Sequence, residues 1–245
     1  MKIKYFLIFW FFINIFVKSQ NISISPILIV SYKFVFQSDS TNVNSKSSDL
    51  LSLYIDNRQS LFESSTRKEL DSFFIAHKSN NSIINFDDVP KPIVTTFIYK
   101  NNENNTNLFA DDFIKLKLKY EYPNIDFKWK LINETKNILG YKCSKAKTNF
   151  GGRIWIAWYS TELPFNNGPY KFKGLPGLIM EIEDKNNFFK YTVVGIKKNK
   201  SDMLINRNFN KNYVDLGSKN YYEVKSNYIK SKFPKTKLQI NPIEK

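Results

Sequence analysis

Alternation of apolar and charged side chains with a period of two constrains this chain most. From Phe113 to Tyr122, the residues Ile114, Leu116, Leu118, Tyr120 and Tyr122 alternate with Lys115, Lys117, Lys119 and Glu121. Successive side chains of a strand point to opposite faces, so the segment predicts a strand with one face in a core and the other in water. The set Leu28, Val30, Tyr32, Phe34 and Phe36 repeats the pattern within Ile27 to Phe36, as do Leu51, Leu53 and Ile55, and then Phe127, Trp129 and Leu131. Asn133 to Lys136 reads as a turn, Ser38 to Ser48 as a flexible loop and Asn101 to Asn107 as an Asn-rich loop.

Leu139, Tyr141 and Cys143 form one face of a further strand, which runs to Asn149, Phe150, Gly151 and Gly152. The glycine pair predicts a tight hairpin, because such turns need positive φ. The return strand, Arg153 to Tyr159, is apolar in both alternating sets and is predicted to be central and covered on both sides. Leu178 to Glu183 and Phe188 to Ile196 form a last hairpin across Asp184 to Asn187. Two segments read as helix. Thr66 and Glu69 make a capping box ahead of Leu70, Phe73, Phe74 and His77, which fall on one helical face. Ser218 to Phe233 carries Tyr221, Val224 and Tyr228 at helical spacing and stops before Pro234. The fold expected is mainly β (α+β): a single curved antiparallel sheet with one or two helices packed on its concave face.

Lys2 and Lys4 precede thirteen uncharged residues, Tyr5 to Val17, followed by Lys18, Ser19 and Gln20. Thirteen residues suit the apolar region of a signal peptide, whereas a spanning helix needs about 20. Residues 1–19 are therefore read as a signal peptide and 20–245 as a single β-rich domain, exported to the periplasm or secreted, with no transmembrane span in the mature chain.

The formal net charge of +15 invites a nucleic-acid partner. Lysine is spread along the chain rather than clustered, and export would remove the protein from cytoplasmic nucleic acid, so no such partner is expected. One Cys and one His exclude a disulfide framework and a Cys/His zinc cage. Cys143 reads as a small buried apolar residue. His77 would have to serve any imidazole-based triad and reads instead as a structural histidine. The carboxylates Asp87 with Asp88, Asp111 with Asp112, and Glu181, Glu183 and Asp184 lack the spacing of a calcium loop, and acid-base work by them would need a meeting in the fold. No cofactor, metal or catalytic residue is assigned.

The most unusual stretch is Gly168 to Asp184, GPYKFKGLPGLIMEIED. Pro176 restricts Leu175 to an extended conformation, and Pro176 with Gly177 suits the centre of a type II turn. Gly174 and Gly177 permit close approach of another backbone or a ligand. Packing at the start of a buried strand explains the stretch; so does a ligand-contacting loop beside Trp155, Trp158 and Tyr159. Those seven residues, Trp155, Trp158, Tyr159, Gly174, Leu175, Pro176 and Gly177, are the candidate contacts.

The hexapeptide Gly174 to Ile179, with the Gly140-Tyr141-Lys142-Cys143 run and the Trp158 to Pro164 run, resembles the GLPGLI family of exported Bacteroidetes proteins. The strand order is also similar to the half-barrels of periplasmic lipoprotein carriers. That resemblance implies an envelope protein of unknown biochemical role. The function expected is a non-enzymatic binding or carrier module for an apolar small molecule or a peptide. An assembly partner of an outer-membrane uptake receptor is the second reading, and a hydrolase the third.

Overall fold

The period-two segments become strands except at Phe127 and Trp129, which lie in the connection ahead of the strand that begins at Lys130. The computed structural model describes residues 21–80, 84–85, 87–113, 115–210, 212–232 and 242–244. The signal-peptide segment 1–19 and Ile114 lie outside the described residues. In chain order the elements are β1 (Asn21–Ile24), β2 (Leu28–Gln37), β3 (Lys46–Ile55), β4 (Gln59–Ser64), α1 (Ser65–Asn80), β5 (Thr96–Asn101), β6 (Thr106–Phe113) and β7 (Leu116–Pro123). They continue with β8 (Lys130–Ile138), β9 (Tyr141–Phe150), β10 (Arg153–Ser160), β11 (Leu178–Asp184), β12 (Phe189–Lys198), β13 (Ile205–Asn208), β14 (Val214–Asp215) and α2 (Ser218–Lys232).

Twelve strands form one sheet, ordered β14-β7-β6-β5-β4-β3-β2-β12-β11-β10-β9-β8. It consists of two antiparallel meanders, β2 to β7 and β8 to β12, joined where β12 pairs along the whole of β2. Only the two residues of β14 run parallel, beside β7. Register shifts at Trp158/Tyr159, Ile132/Thr135 and Val193/Gly195 bend the sheet into a bowl that stays open.

The inner face carries the main core, including Val30, Tyr32, Leu53, Ile98, Phe109, Tyr120, Trp155 and Ile182. A second core lies on the outer face of β3 to β6, where the β1–β13 pair covers Tyr54, Leu61, Phe97 and Leu108 with Ile22, Ile24, Ile205 and Phe209. The strands apolar on both faces are therefore those of the first meander; Leu51 to Ile55 are all buried. β10, expected to be covered on both sides, is covered on one: Trp155 and Ala157 are fully buried while Ile154 is 42% exposed. Alternation identifies two apolar faces but cannot say which of them acquires a second layer.

α2 lies against the inner face, with the Tyr221 ring against Phe109 and Tyr120. α1 sits on the outer side instead, where Arg67 lies over the Phe97 ring and pairs with Asp112, and Asp71 pairs with Arg207 of β13. Its apolar stripe is only partly used, since Phe74 remains exposed. The Gly151-Gly152 hairpin forms as expected, with φ of 58° and 71°. Asn133 to Lys136, expected to turn, continues β8 through a bulge, and the turn falls at Leu139-Gly140. The expected loop from Ser38 ends earlier, because β3 begins at Lys46 opposite Gln37. Among the described residues no helix is long and apolar enough to cross a membrane.

Candidate functional site

Residues 161–177 connect β10 to β11 without regular structure, yet Leu163, Asn167, Tyr170, Lys171, Phe172 and Leu175 are buried. Irregular backbone inside a protein needs partners for its carbonyls. Lys100, on the inward-facing side of β5, supplies them: its Nζ donates to the carbonyls of Gly168 at 2.7 Å, Tyr170 at 3.1 Å and Phe172 at 3.5 Å. Trp129 Nε1 donates to the Lys173 carbonyl, and the Tyr32 hydroxyl to that of Ile179. Burial, with Lys173 nearby, pushes the Lys100 ammonium well below the usual lysine range.

The hexapeptide ends this inner segment. Gly177 N–H bonds the Leu175 carbonyl at 2.8 Å, so Pro176 centres a three-residue bend rather than a type II turn. A Cβ on Gly177 would overlap the Ser160 carbonyl. Leu178 and Ile179 then pair back to Leu163 and Asn167. Leu175 is 1% exposed, and Gly174 faces Trp129. Of the aromatic candidates, Trp155 and Tyr159 join the inner core, whereas Trp158 is only partly buried against it, beneath Lys136 and Lys145. The seven candidates are thus divided by burial: Trp155, Tyr159, Leu175 and Gly177 are buried, Trp158 is partly buried against the main core, and Gly174 and Pro176 are exposed. The register shift between Trp158 and Tyr159 does not unite them.

Above the inner segment and under α2 lies a cavity of about 370 Å³. Phe34, Phe62, Phe109, Tyr170, Tyr191, Tyr221 and Tyr222 provide ring walls, and Thr96, Lys225 and Ser226 provide the polar groups. The volume is that of an ordinary small-ligand site. Beside it Asp111, fully buried, accepts hydrogen bonds from Thr95 Oγ1, the Tyr221 hydroxyl and Lys225 Nζ. Burial first, and Asp111 second, hold the Tyr221 phenol far above its usual range, which keeps it a donor.

The remaining acids are dispersed. Asp112 faces the other side of the sheet, with Arg67 at 2.5 Å and the Tyr213 hydroxyl. Glu181 pairs with Lys136 and Lys190, and Asp184 with Arg153. Asp87 and Asp88 stay in a loop. His77 stacks on Phe73 and bonds its carbonyl. Burial pushes the Cys143 thiol up to about 11, so it is not a ready nucleophile. Among the described residues no three His, Cys, Asp or Glu side chains converge to hold a metal.

Comparison with known proteins identifies the family. The sequence profile described as N-glycanase peptide, N-terminal domain matches residues 36–221. The chain belongs to this family. Two solved structures of PNGF-II, in the P21 and C2 space groups, superpose with TM-scores of 0.53 at 16% and 17% identity. Each covers 80% of this chain, which spans 32% of the PNGF-II chain. At that identity the likeness establishes the fold. No curated protein matches significantly.

Membership overturns four expectations. The resemblance to the GLPGLI family gives way to a match spanning most of the sheet; the hexapeptide is a steric device for starting β11, and such a device does not define a family. The non-enzymatic carrier and the outer-membrane assembly partner give way to an N-glycanase family, so the assignment of no enzymatic role is likewise corrected. Asp111 is among the carboxylates the sequence offers, whereas Lys100, Lys225 and Tyr222 are not singled out by it. The available signal was Lys100 sharing a strand face with Ile98, an inward lysine that breaks the alternation.

Two outcomes follow from this geometry. Gly177→Ala should lose about 3 kcal/mol or more in urea unfolding, because the Ser160 backbone cannot yield; Gly140→Ala, with φ of 83° and open space around it, should lose about 1–2 kcal/mol. Lys100→Met should lose about 2–4 kcal/mol by orphaning buried carbonyls. A lysine whose folded pKa is depressed is penalised while the unfolded chain binds the extra proton. Wild-type stability should therefore rise as the pH is raised toward the unfolded value of about 10.4, and rise less in Lys100→Met. Urea midpoints at increasing pH measure it.

Proposed function

We propose that this chain acts in the removal or processing of N-linked glycans, and that its ring-lined cavity receives carbohydrate. The observation that carries the reading is family membership over residues 36–221, a span that contains the cavity residues Leu51 to Tyr221, while Phe34, Tyr222, Lys225, Ser226, Pro242 and Ile243 complete the walls from outside it. A pyranose presents flat C–H faces and a rim of hydroxyls. Aromatic faces suit the first, and Lys225, Ser226 and Thr96 suit the second. Chain position agrees: export through residues 1–19, read from the sequence, would bring the protein to glycoproteins outside the cytoplasm.

The relatives supply a reaction class, and the cavity supplies a place to look for its determinants. Lys225 lines the cavity while holding Asp111, so a bound sugar and the buried carboxylate would share one cation. Tyr222 lies on the same helix and lines the cavity without belonging to the fully buried core.

Titration of the protein with an N-glycosylated peptide should show binding that weakens about tenfold in Tyr222→Ala, or about 1.4 kcal/mol. Mass spectrometry of the same mixture reads glycan release. Equal binding of the glycosylated and the sugar-free peptide would overturn the carbohydrate assignment.

A further inference from the structure

Residues 242–244 lie in a site built largely of buried polar groups. Arg153, with its side chain 3% exposed, donates from Nη2 to the Pro242 carbonyl at 2.9 Å and from Nε to the Ile243 carbonyl at 3.2 Å. Asp184 holds the same guanidinium at 3.2 Å. Next along, Glu244 enters a pocket where Lys171 Nζ meets its Oε1 at 2.5 Å and the Tyr170 hydroxyl donates to it. The floor is Gly151, where a Cβ would come within 2.8 Å of the Glu244 Cα.

These contacts have the form of peptide recognition. Two successive main-chain carbonyls are read by one arginine, which is indifferent to side chains, and one carboxylate is read by a pocket, which is not. The pocket is also costly to leave empty. Lys171 is 4% exposed on its side chain and sits over the rings of Phe109, Tyr120, Tyr122 and Tyr170. Without Glu244 its remaining described hydrogen-bond partner is the Tyr120 hydroxyl at 3.0 Å, and a buried cation deprived of its counter-ion is strongly disfavoured. The buried Tyr122 hydroxyl in the same ring cluster has no hydrogen bond among the described residues, so the present occupant leaves one polar group unused.

We propose that the groove formed by Gly151, Arg153, Tyr170 and Lys171 is a binding site for an extended peptide segment carrying a glutamate, with this chain's own Glu244 as a built-in competitor. The groove shares Tyr170 with the ring-lined cavity, whose walls also include Pro242 and Ile243, but the proposal rests on the Arg153 and Lys171 contacts and not on the carbohydrate assignment. Being tethered, the internal segment competes at an effective concentration on the order of millimolar. An external peptide therefore meets an occupied site in the wild-type chain and a weakened competitor once Glu244 is altered.

The test is fluorescence anisotropy with a labelled, sugar-free peptide of sequence Asn-Pro-Ile-Glu-Lys, added to the full chain. Glu244→Ala should bind it at least tenfold more tightly than wild type. Exchanging the peptide's Glu for Gln, or adding Lys171→Met to the protein, should abolish that gain. Glu244→Gln, which preserves side-chain length, gives the same comparison if Glu244→Ala disturbs the fold. Equal affinity for wild type and both Glu244 variants, or equal affinity for the Glu and Gln peptides, would overturn the site. Failure here would leave glycan binding untouched, because that is read with a glycosylated ligand.

Discussion

One buried ammonium governs the inside of this protein. Lys100 ties together three carbonyls of a segment that has no ladder of its own. The segment in turn forms the floor of the cavity through Tyr170, carries Lys171 to its ring cluster and delivers Leu175 to the main core. A hydrogen-bonded strand in that position would have satisfied its carbonyls but filled the bowl. A loop held by one side chain crosses the concavity in a path that leaves room above it. The cavity thus depends on a polar group being buried where hydrophobic patterning alone would place an aliphatic one.

Much of the sheet is legible in the sequence because a pleated strand converts pattern directly into exposure. Leu28, Val30, Tyr32 and Phe34 are buried as their alternation requires, and so are Leu118, Tyr120 and Tyr122. Glycine chemistry places the β9–β10 hairpin. What alternation cannot convey is the identity of the covering layer. Nothing local to Tyr54 or Phe97 announces that Ile22 and Ile205, far away along the chain, will lie over them. The placement of α1 on the outside has the same origin, since it follows from Arg67 and Asp71 meeting Asp112 and Arg207.

The site was less legible than the fold. Trp155, Trp158 and Tyr159 adjoin in sequence, yet adjacency in a strand separates side chains across the sheet, and Trp158 is left only partly buried beneath Lys136 and Lys145. The cavity draws on β2 to β6, β12, the inner segment, α2 and residues 242–243, a combination to which the β2–β12 pairing contributes. The Leu-Pro-Gly bend shows how a short run can be distinctive for steric reasons. Gly177 is required by the Ser160 backbone, a requirement of packing that carries no information about substrate.

The two margins of the sheet are finished differently. At one, the two residues of β14 leave little main chain to offer a neighbour. At the other, β8 is long, but its bulge at Ile132/Thr135 interrupts the row of donors and acceptors, and Lys130, Glu134 and Lys136 stud it with charge. Irregular, charged margins resist strand addition from another molecule. An open bowl of this breadth can thus remain unclosed without recruiting copies of itself into a continuous fibre.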